Sequence, residues 1–240
     1  MVGRLQLGLA SRALAFAAAA LALVAVVAPS ADSAHAVRAG YRVESIVISI
    51  TGGAKASAAT DRSGTTGRMA DTLSATFRGA AARGGPAAGL ETPVLKSQYI
   101  CNPACPTYAA TGSMTAKETF TPGKGKSVSC GRTAKVPNGL TGQVYVTSSD
   151  TTTSKIFVTI QVSQVVDMMF AAVIGTQCTL PIYYPTNVQG QLTPETLPVS
   201  VIGAKTIKVV LKQPLVPSPT QWASTGGTVI HVTAVLARAS

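Results

Sequence analysis

The carboxylates are the first residues in this sequence to consider for chemistry, because a glycosidase needs only two of them at a fixed separation. After residue 36 the chain contains eight. They are Glu44, Asp61, Asp71, Glu91, Glu118, Asp150, Asp167 and Glu195. Each stands among small polar residues or on the polar face of a predicted strand, which is typical of a solvated charge. We therefore predict no catalytic pair. The alternative is a wall-polymer hydrolase with acids among Asp61, Asp71, Asp150 and Asp167.

The other catalytic patterns are incomplete. The Gly-x-Ser-x-Gly turn of many serine hydrolases is missing, and His231 stands in a predicted strand rather than in a loop, where catalytic groups gather. Residues 123–127 end like a phosphate-binding loop, but that motif needs glycine where this chain has Phe120. We interpret this segment as a basic hairpin turn, and we predict a protein that is not an enzyme and holds no cofactor or metal.

The four cysteines, Cys101, Cys105, Cys130 and Cys178, also follow residue 36. An even number in an oxidising compartment predicts two disulfides, and the spacings lack the paired ligands that are typical of zinc sites. Because closing a short loop costs less entropy, we expect Cys101–Cys105 together with Cys130–Cys178. The competing arrangement joins Cys105 to Cys130 and Cys101 to Cys178.

Aromatic residues are scarce, and three of them are candidates for ligand binding. Tyr183 and Tyr184 stand between two prolines, and Trp222 follows a proline-rich segment, so all three are predicted near loops. A Trp beside a strand more often covers the edge of the core. A weak glycan-binding module that uses Trp222 and Tyr184 is therefore a further alternative.

The N-terminal segment predicts export. Arg4 and Arg12 precede an unbroken apolar run over residues 13–28, and residues 34–36 have the small-x-small pattern that a signal peptidase cleaves. This run is shorter than the roughly 20 residues that span a bilayer, which leaves an uncleaved anchor as the lesser alternative. We predict a signal peptide over residues 1–36, followed by a secreted or cell-envelope-associated chain without a further membrane span.

Ten of the eleven net positive charges lie after residue 36, and the basic residues there are scattered. This charge favours attraction to an anionic cell-wall polymer, an acidic glycan or lipid head groups, although a high isoelectric point without a partner would look the same. We expect no nucleic acid partner, because no DNA-reading motif is present. The bias toward Ala, Gly, Val and Arg is typical of a GC-rich bacterial genome.

Alternating apolar residues predict strands through most of the chain. The inward-facing sets are Ile46, Ile48 and Ile50; Leu73, Ala75 and Phe77; Ile156, Val158, Ile160 and Val162; Ile207, Val209 and Leu211; and Ile230, Val232, Ala234 and Leu236. The glycines at positions 52–53 predict the end of the first strand, and the Pro-Gly at positions 122–123 predicts a type II turn. Residues 80–93 predict an exposed loop or a domain boundary, and residues 165–174 are the one possible helix.

Many short strands separated by turns predict an all-β protein, an antiparallel β-sandwich of the immunoglobulin-like kind. We expect it to form one secreted domain over residues 37–240, and a closed barrel would leave a similar pattern. The predicted function is a non-enzymatic binding or structural domain of the cell envelope.

Overall fold

The computed structural model describes residues 38–61, 63–83, 87–136, 139–162, 190–215 and 224–239. Within these ranges the chain forms twelve strands and one short 3₁₀ helix, Val199–Val201. The strands are β1 (Arg38–Thr60), β2 (Thr66–Ala81), β3 (Ala88–Glu91), β4 (Cys101–Asn102), β5 (Thr107–Pro122), β6 (Val128–Lys135), β7 (Leu140–Ser148), β8 (Lys155–Val162), β9 (Gly190–Gln191), β10 (Glu195–Pro198), β11 (Thr206–Leu215) and β12 (Ser224–Arg238). The predicted signal peptide and the possible helix at 165–174 lie outside the described residues.

The strands follow the alternation of the sequence. In β2, buried and exposed side chains alternate from Gly67 to Arg78, with Leu73 and Phe77 buried, and β12 buries every second residue from Thr228 to Leu236. Successive side chains of a strand point to opposite faces, so one face of each strand lies against the core. The five predicted inward-facing sets are confirmed as buried.

All strand pairs are antiparallel and belong to one sheet, in the order β10-β8-β7-β5-β2-β1-β12-β11. Four shorter strands pair outside this order: β3 with β1 and β4, β6 with β5, and β9 with β8. The long strand β5 forks, because its first residues, Thr107 to Ala110, pair with β7 while Ser113 to Phe120 pair with β6. The predicted all-β, antiparallel class is confirmed at this level.

The sheet curves round a single hydrophobic core. The inward faces of its long strands all contribute to one cluster of buried residues, which is possible only if these faces turn toward one another. The two ends of the path also approach each other. The Val210 N–H of β11 donates a hydrogen bond to the Glu195 carboxylate of β10 at 2.6 Å, and the Thr193 N–H donates to Gln213 Oε1 at 2.9 Å.

The predicted end of the first strand at the two glycines is wrong, because β1 continues to Thr60. These glycines lie where neighbouring backbones approach closely. A Cβ atom added to Gly52 would stand 2.3 Å from the Gly227 carbonyl oxygen, and one added to Gly53 would stand 2.1 Å from the Asp71 carbonyl oxygen. Glycine is therefore needed here to let three strands pair, rather than to end one of them.

Two further expectations change in detail. The predicted loop over residues 80–93 contains the strand β3, whose Leu90 is fully buried and which pairs with the start of β1. The turn between β5 and β6 exists as predicted, but positive φ occurs at Gly125 (+116°) and not at Gly123, so the type II turn at the Pro-Gly pair is not formed.

All described residues fall in one compact unit. Within the ranges given above, no helix is long and apolar enough to cross a membrane.

Candidate functional site

Four neighbouring strands present an outer face made of hydroxyl and basic side chains. The register of β1, β2, β5 and β6 places the outward residues side by side. We call this set the cationic face. It consists of Ser49, Thr51, Gly53 and Lys55 of β1; Arg68, Ala70, Thr72, Ser74, Thr76 and Arg78 of β2; Ser113, Thr115, Lys117, Thr119 and Thr121 of β5; and Ser129, Gly131, Thr133 and Lys135 of β6.

The hydroxyl groups of the cationic face form rows across the strands. One row runs through Thr51, Ser74, Thr115 and Thr133, which are consecutive partners in the register. The Oγ1 atoms of Thr115 and Thr133 are 2.6 Å apart and share a hydrogen bond. Neighbouring strands lie about 4.8 Å apart, so the rows form a regular array of donors and acceptors.

The charge of this face has one sign. Its five charged side chains are Lys55, Arg68, Arg78, Lys117 and Lys135, and all of them are exposed. The four strand segments between these outward residues contain two acids, Asp71 and Glu118, and both point inward. The alternation of the strands has therefore left only basic charges on the outer face. Both acids lie on the inward side, which they share with Arg132 of β6.

Among the grooves that indent the cationic face, two have one lysine and one arginine of that face in their walls. The first, of about 320 Å³, is lined by Lys55 and Arg68 together with hydroxyl side chains of β5. The second, of about 770 Å³, is lined by Arg78 and Lys135 where β5 forks. Guanidinium, ammonium and hydroxyl donors that point to solvent suit the binding of anionic oxygen atoms.

The two inward acids correct a prediction. Asp71 is 5% exposed and Glu118 has no exposed surface, although both were expected to be solvated. They are direct partners in the β2–β5 register, and both take part in polar or electrostatic interactions. Alternation could have revealed them, because Asp71 is two residues from the inward Leu73 and therefore shares its face.

Side chains that face each other across an antiparallel pair have Cβ atoms about 4.5–5.5 Å apart. Asp71 and Glu118 are thus two carboxyl groups in one place, which is the composition of a glycosidase centre. Their burial leaves no exposed surface on Glu118 for a substrate to contact. The pair therefore belongs to the core in this conformation.

The remaining candidate acids have separate surroundings. The Asp61 carboxylate accepts hydrogen bonds from Ser63 Oγ at 2.7 Å and from the Thr65 N–H at 2.8 Å. The Ser63 hydroxyl is the main cause that lowers the pKa of Asp61 below its usual value, with backbone N–H donors adding to it. Asp150 accepts from Ser97 Oγ at 2.5 Å, and Asp167 lies outside the described residues.

The near pair of cysteines forms the predicted disulfide. Cys101 and Cys105 are bonded, with their Cα atoms 4.8 Å apart, and the peptide between Asn102 and Pro103 is cis. Cys130 is also disulfide-bonded. Because Cys178 lies outside the described residues, the Cys130–Cys178 bond stays a prediction.

The structure also places the other residues that the sequence singled out. His231 is exposed on the outer face of β12. Residues 123–127 include the exposed bend that joins β5 to β6. Trp222, Tyr183 and Tyr184 lie outside the described residues.

An aromatic pair that the sequence did not indicate lies elsewhere on the surface. Tyr99 and Tyr145 pack edge to face with their ring centroids 6.2 Å apart. They are 46 positions apart in sequence, so only the fold brings them together. Among the described residues, no group of three or more His, Cys, Asp or Glu side chains could hold a metal ion.

Comparison of the chain with protein-family models, with curated proteins and with solved structures finds no match.

Proposed function

We propose that this protein is a secreted or cell-envelope-associated, non-enzymatic binding domain whose cationic face binds an anionic polymer of the cell wall or an acidic glycan. The observation that supports it is the single, positive sign of charge on the outer face of β1, β2, β5 and β6. Five exposed basic side chains stand among hydroxyl groups, while both acids of the same segments are buried.

The dimensions of the face suit a chain-like partner. Arg68 and Arg78 lie ten residues apart on one strand, which corresponds to about 33 Å, and four strands are about 14 Å wide. A polymer with regularly spaced phosphate or carboxylate groups could therefore meet several basic groups at once. Basic side chains that share one sign add their fields and attract such a partner before contact.

The test is binding to polyglycerol phosphate and to polygalacturonate, measured by calorimetry at low and high salt. The variant carries Lys55→Gln, Lys117→Gln and Lys135→Gln. The matched control carries three lysine-to-glutamine changes at exposed positions away from this face: Lys96→Gln, Lys155→Gln and Lys205→Gln. Both proteins lose the same charge, so they differ only in where it is lost.

We expect the face variant to raise Kd at least about tenfold, because each lysine contributes about 1 kcal/mol at an anionic surface. The control should stay close to the parent protein. Binding should weaken steeply with salt, since screening shortens electrostatic reach to about 8 Å at physiological ionic strength. The proposal would be contradicted if binding weakened equally in both variants, or if Kd did not change with salt concentration.

A hydrolase is the second candidate, and the observation that favours it is the pairing of Asp71 with Glu118. Such an enzyme would need a conformation that exposes both carboxyl groups. Release of reducing ends from wall polymer by the parent protein, lost in Asp71→Asn and in Glu118→Gln, would establish this activity. No release by the parent protein would remove it.

We also propose that the strands of this curved antiparallel sheet stack as the two layers of an immunoglobulin-like sandwich. The support is the shared core of all the long strands. An experimental structure with two stacked layers about 10 Å apart would agree with this, and a sheet that is hydrogen-bonded all the way round would not.

A further inference from the structure

A second surface, distinct from the cationic face, combines tyrosine rings with side-chain amides. The outward residues of β7 include Gln143 and Tyr145, which alternate with the buried Val144 and Val146. Together with Gln161 of β8 they line a shallow depression of about 400 Å³. We call Tyr99, Gln143, Tyr145 and Gln161 the tyrosine patch.

The backbone holds Tyr99 in place beside this depression. Tyr99 forms a bridge with Thr147 of β7. The Ile100 N–H donates to the Val146 carbonyl at 3.1 Å, and the Ser148 N–H donates to the Gln98 carbonyl at 2.8 Å. The segment that carries Tyr99 is therefore fastened to β7 on both sides of the ring.

The Cys101–Cys105 disulfide reinforces this arrangement. It lies directly after the Tyr99 segment, and on its other side the Pro106 carbonyl accepts a hydrogen bond from the Val144 N–H at 2.8 Å. Both chain segments that enter and leave the small ring are thus bonded to the strand that carries Tyr145. The two tyrosines are held at their observed separation before any ligand arrives, which lowers the entropy cost of binding.

The side chains are also oriented. The Tyr145 hydroxyl donates to Gln161 Oε1 at 3.0 Å. Because this bond uses the amide oxygen, the NH₂ group of Gln161 points away from it and can donate to a ligand. Tyr99 is 63% exposed. The described residues that line the depression include no charged side chain.

We propose that the tyrosine patch binds a neutral saccharide. An exposed aromatic ring packs against the C–H face of a sugar ring, and amide and hydroxyl groups can pair with sugar hydroxyls in both donor and acceptor roles. The absence of a charged group among the described lining residues gives no reason for an anionic ligand to bind here. This inference does not depend on the cationic face and stands if the polymer-binding proposal fails.

The test uses two probes, a hexamer of N-acetylglucosamine and a hexamer of glucose, with an oligomer of galacturonate as the anionic comparison. Binding to the disulfide-intact protein is followed by NMR titration at low and high salt. Tyr99→Ala is the main variant, because its exposed ring makes loss of folding a small risk. Leu95→Ala is the control, since Leu95 lies on the same loop with a side chain that is 66% exposed.

We expect the parent protein to bind at least one neutral hexamer with an affinity that does not change with salt. Tyr99→Ala should weaken this binding about fivefold, a size typical of one aromatic contact, and Leu95→Ala should leave it unchanged. Three results would each overturn the inference: no binding of either neutral hexamer, binding that is unaffected by Tyr99→Ala, or binding of the galacturonate oligomer alone.

Discussion

Replacing Gly53 by alanine tests whether the glycines of β1 exist to let strands approach. The added Cβ would stand 2.1 Å from the Asp71 carbonyl oxygen, 2.9 Å from the carbonyl carbon of the same residue and 3.1 Å from Thr72 Cα. All three are backbone atoms of β2, so no side-chain rotation can relieve the contact. β1 and β2 must therefore separate by more than about 1 Å at this point. A displacement of this size is enough to lose backbone hydrogen bonds.

The cost can be assembled from two contributions. Forcing an extra methyl group into a packed site costs about 1–3 kcal/mol, and each ladder hydrogen bond lost costs about 1 kcal/mol. The free energy of unfolding should therefore fall by about 2–4 kcal/mol. This is a large fraction of the roughly 5–15 kcal/mol that stabilises a typical domain.

The assay is urea unfolding followed by far-ultraviolet circular dichroism, with Gly40→Ala as the matched control. Gly40 lies on the same strand, and a Cβ there would meet its nearest atom at 3.5 Å, an ordinary contact. Its substitution should change stability by less than about 1 kcal/mol in either direction. A stability of Gly53→Ala within 0.5 kcal/mol of the control, on the order of additivity error, would refute the reasoning.

Three other predictions concern the N-terminus, the disulfides and one turn. Mass spectrometry of secreted protein should find its N-terminus at or within a few residues of Val37, and an intact N-terminus in a membrane fraction would contradict this. On a chain-entropy model Cys178→Ser should destabilise the fold by about 4 kcal/mol and Cys105→Ser by about 2 kcal/mol, and a non-reducing peptide map that links Cys105 to Cys130 would contradict the pairing. Because the pKa of Asp61 is lowered in the folded state, its carboxylate stabilises the fold above pH 3.8 and loses this effect as the pH falls through the folded value. The urea midpoints of the parent protein and Asp61→Asn should therefore differ near neutral pH and converge well below pH 3.8, and a difference that persists in acid would show another origin.

The sequence predicted those elements whose signal is local. Alternation with period two identified the inward residues of β8, β11 and β12. The Cys101–Cys105 bond was predictable for the same reason, because only three residues separate its ends. By contrast, β3 has only four residues, two of them small, and its burial comes from pairing with β1 rather than from its own pattern.

The candidate sites depend on contacts between distant parts of the chain. No pattern within β2 or β5 alone shows that Asp71 stands opposite Glu118, because the register of two strands is set by the whole fold. The type of residue points the other way, since carboxylates are rarely buried, whereas the position of Asp71 in the alternation places it inward. Tyr99 and Tyr145 meet only because the segment before the disulfide pairs with β7.

The separation of charge across β2 has a consequence for how faithfully the sheet assembles. Its ladder with β5 runs for fifteen pairs, from Gly67–Pro122 to Ala81–Tyr108, and much of it consists of small residues that would fit almost equally well after a shift. A slip by one residue turns every side chain of a strand to the opposite face. Such a slip would place Arg68 and Arg78 in the core and Phe77 in water, at a cost of several kcal/mol for each buried, unpaired cation. The outward arginines therefore help to specify the register of β2 with β5. Misaligned forms of this long ladder are disfavoured even where its small residues would permit them.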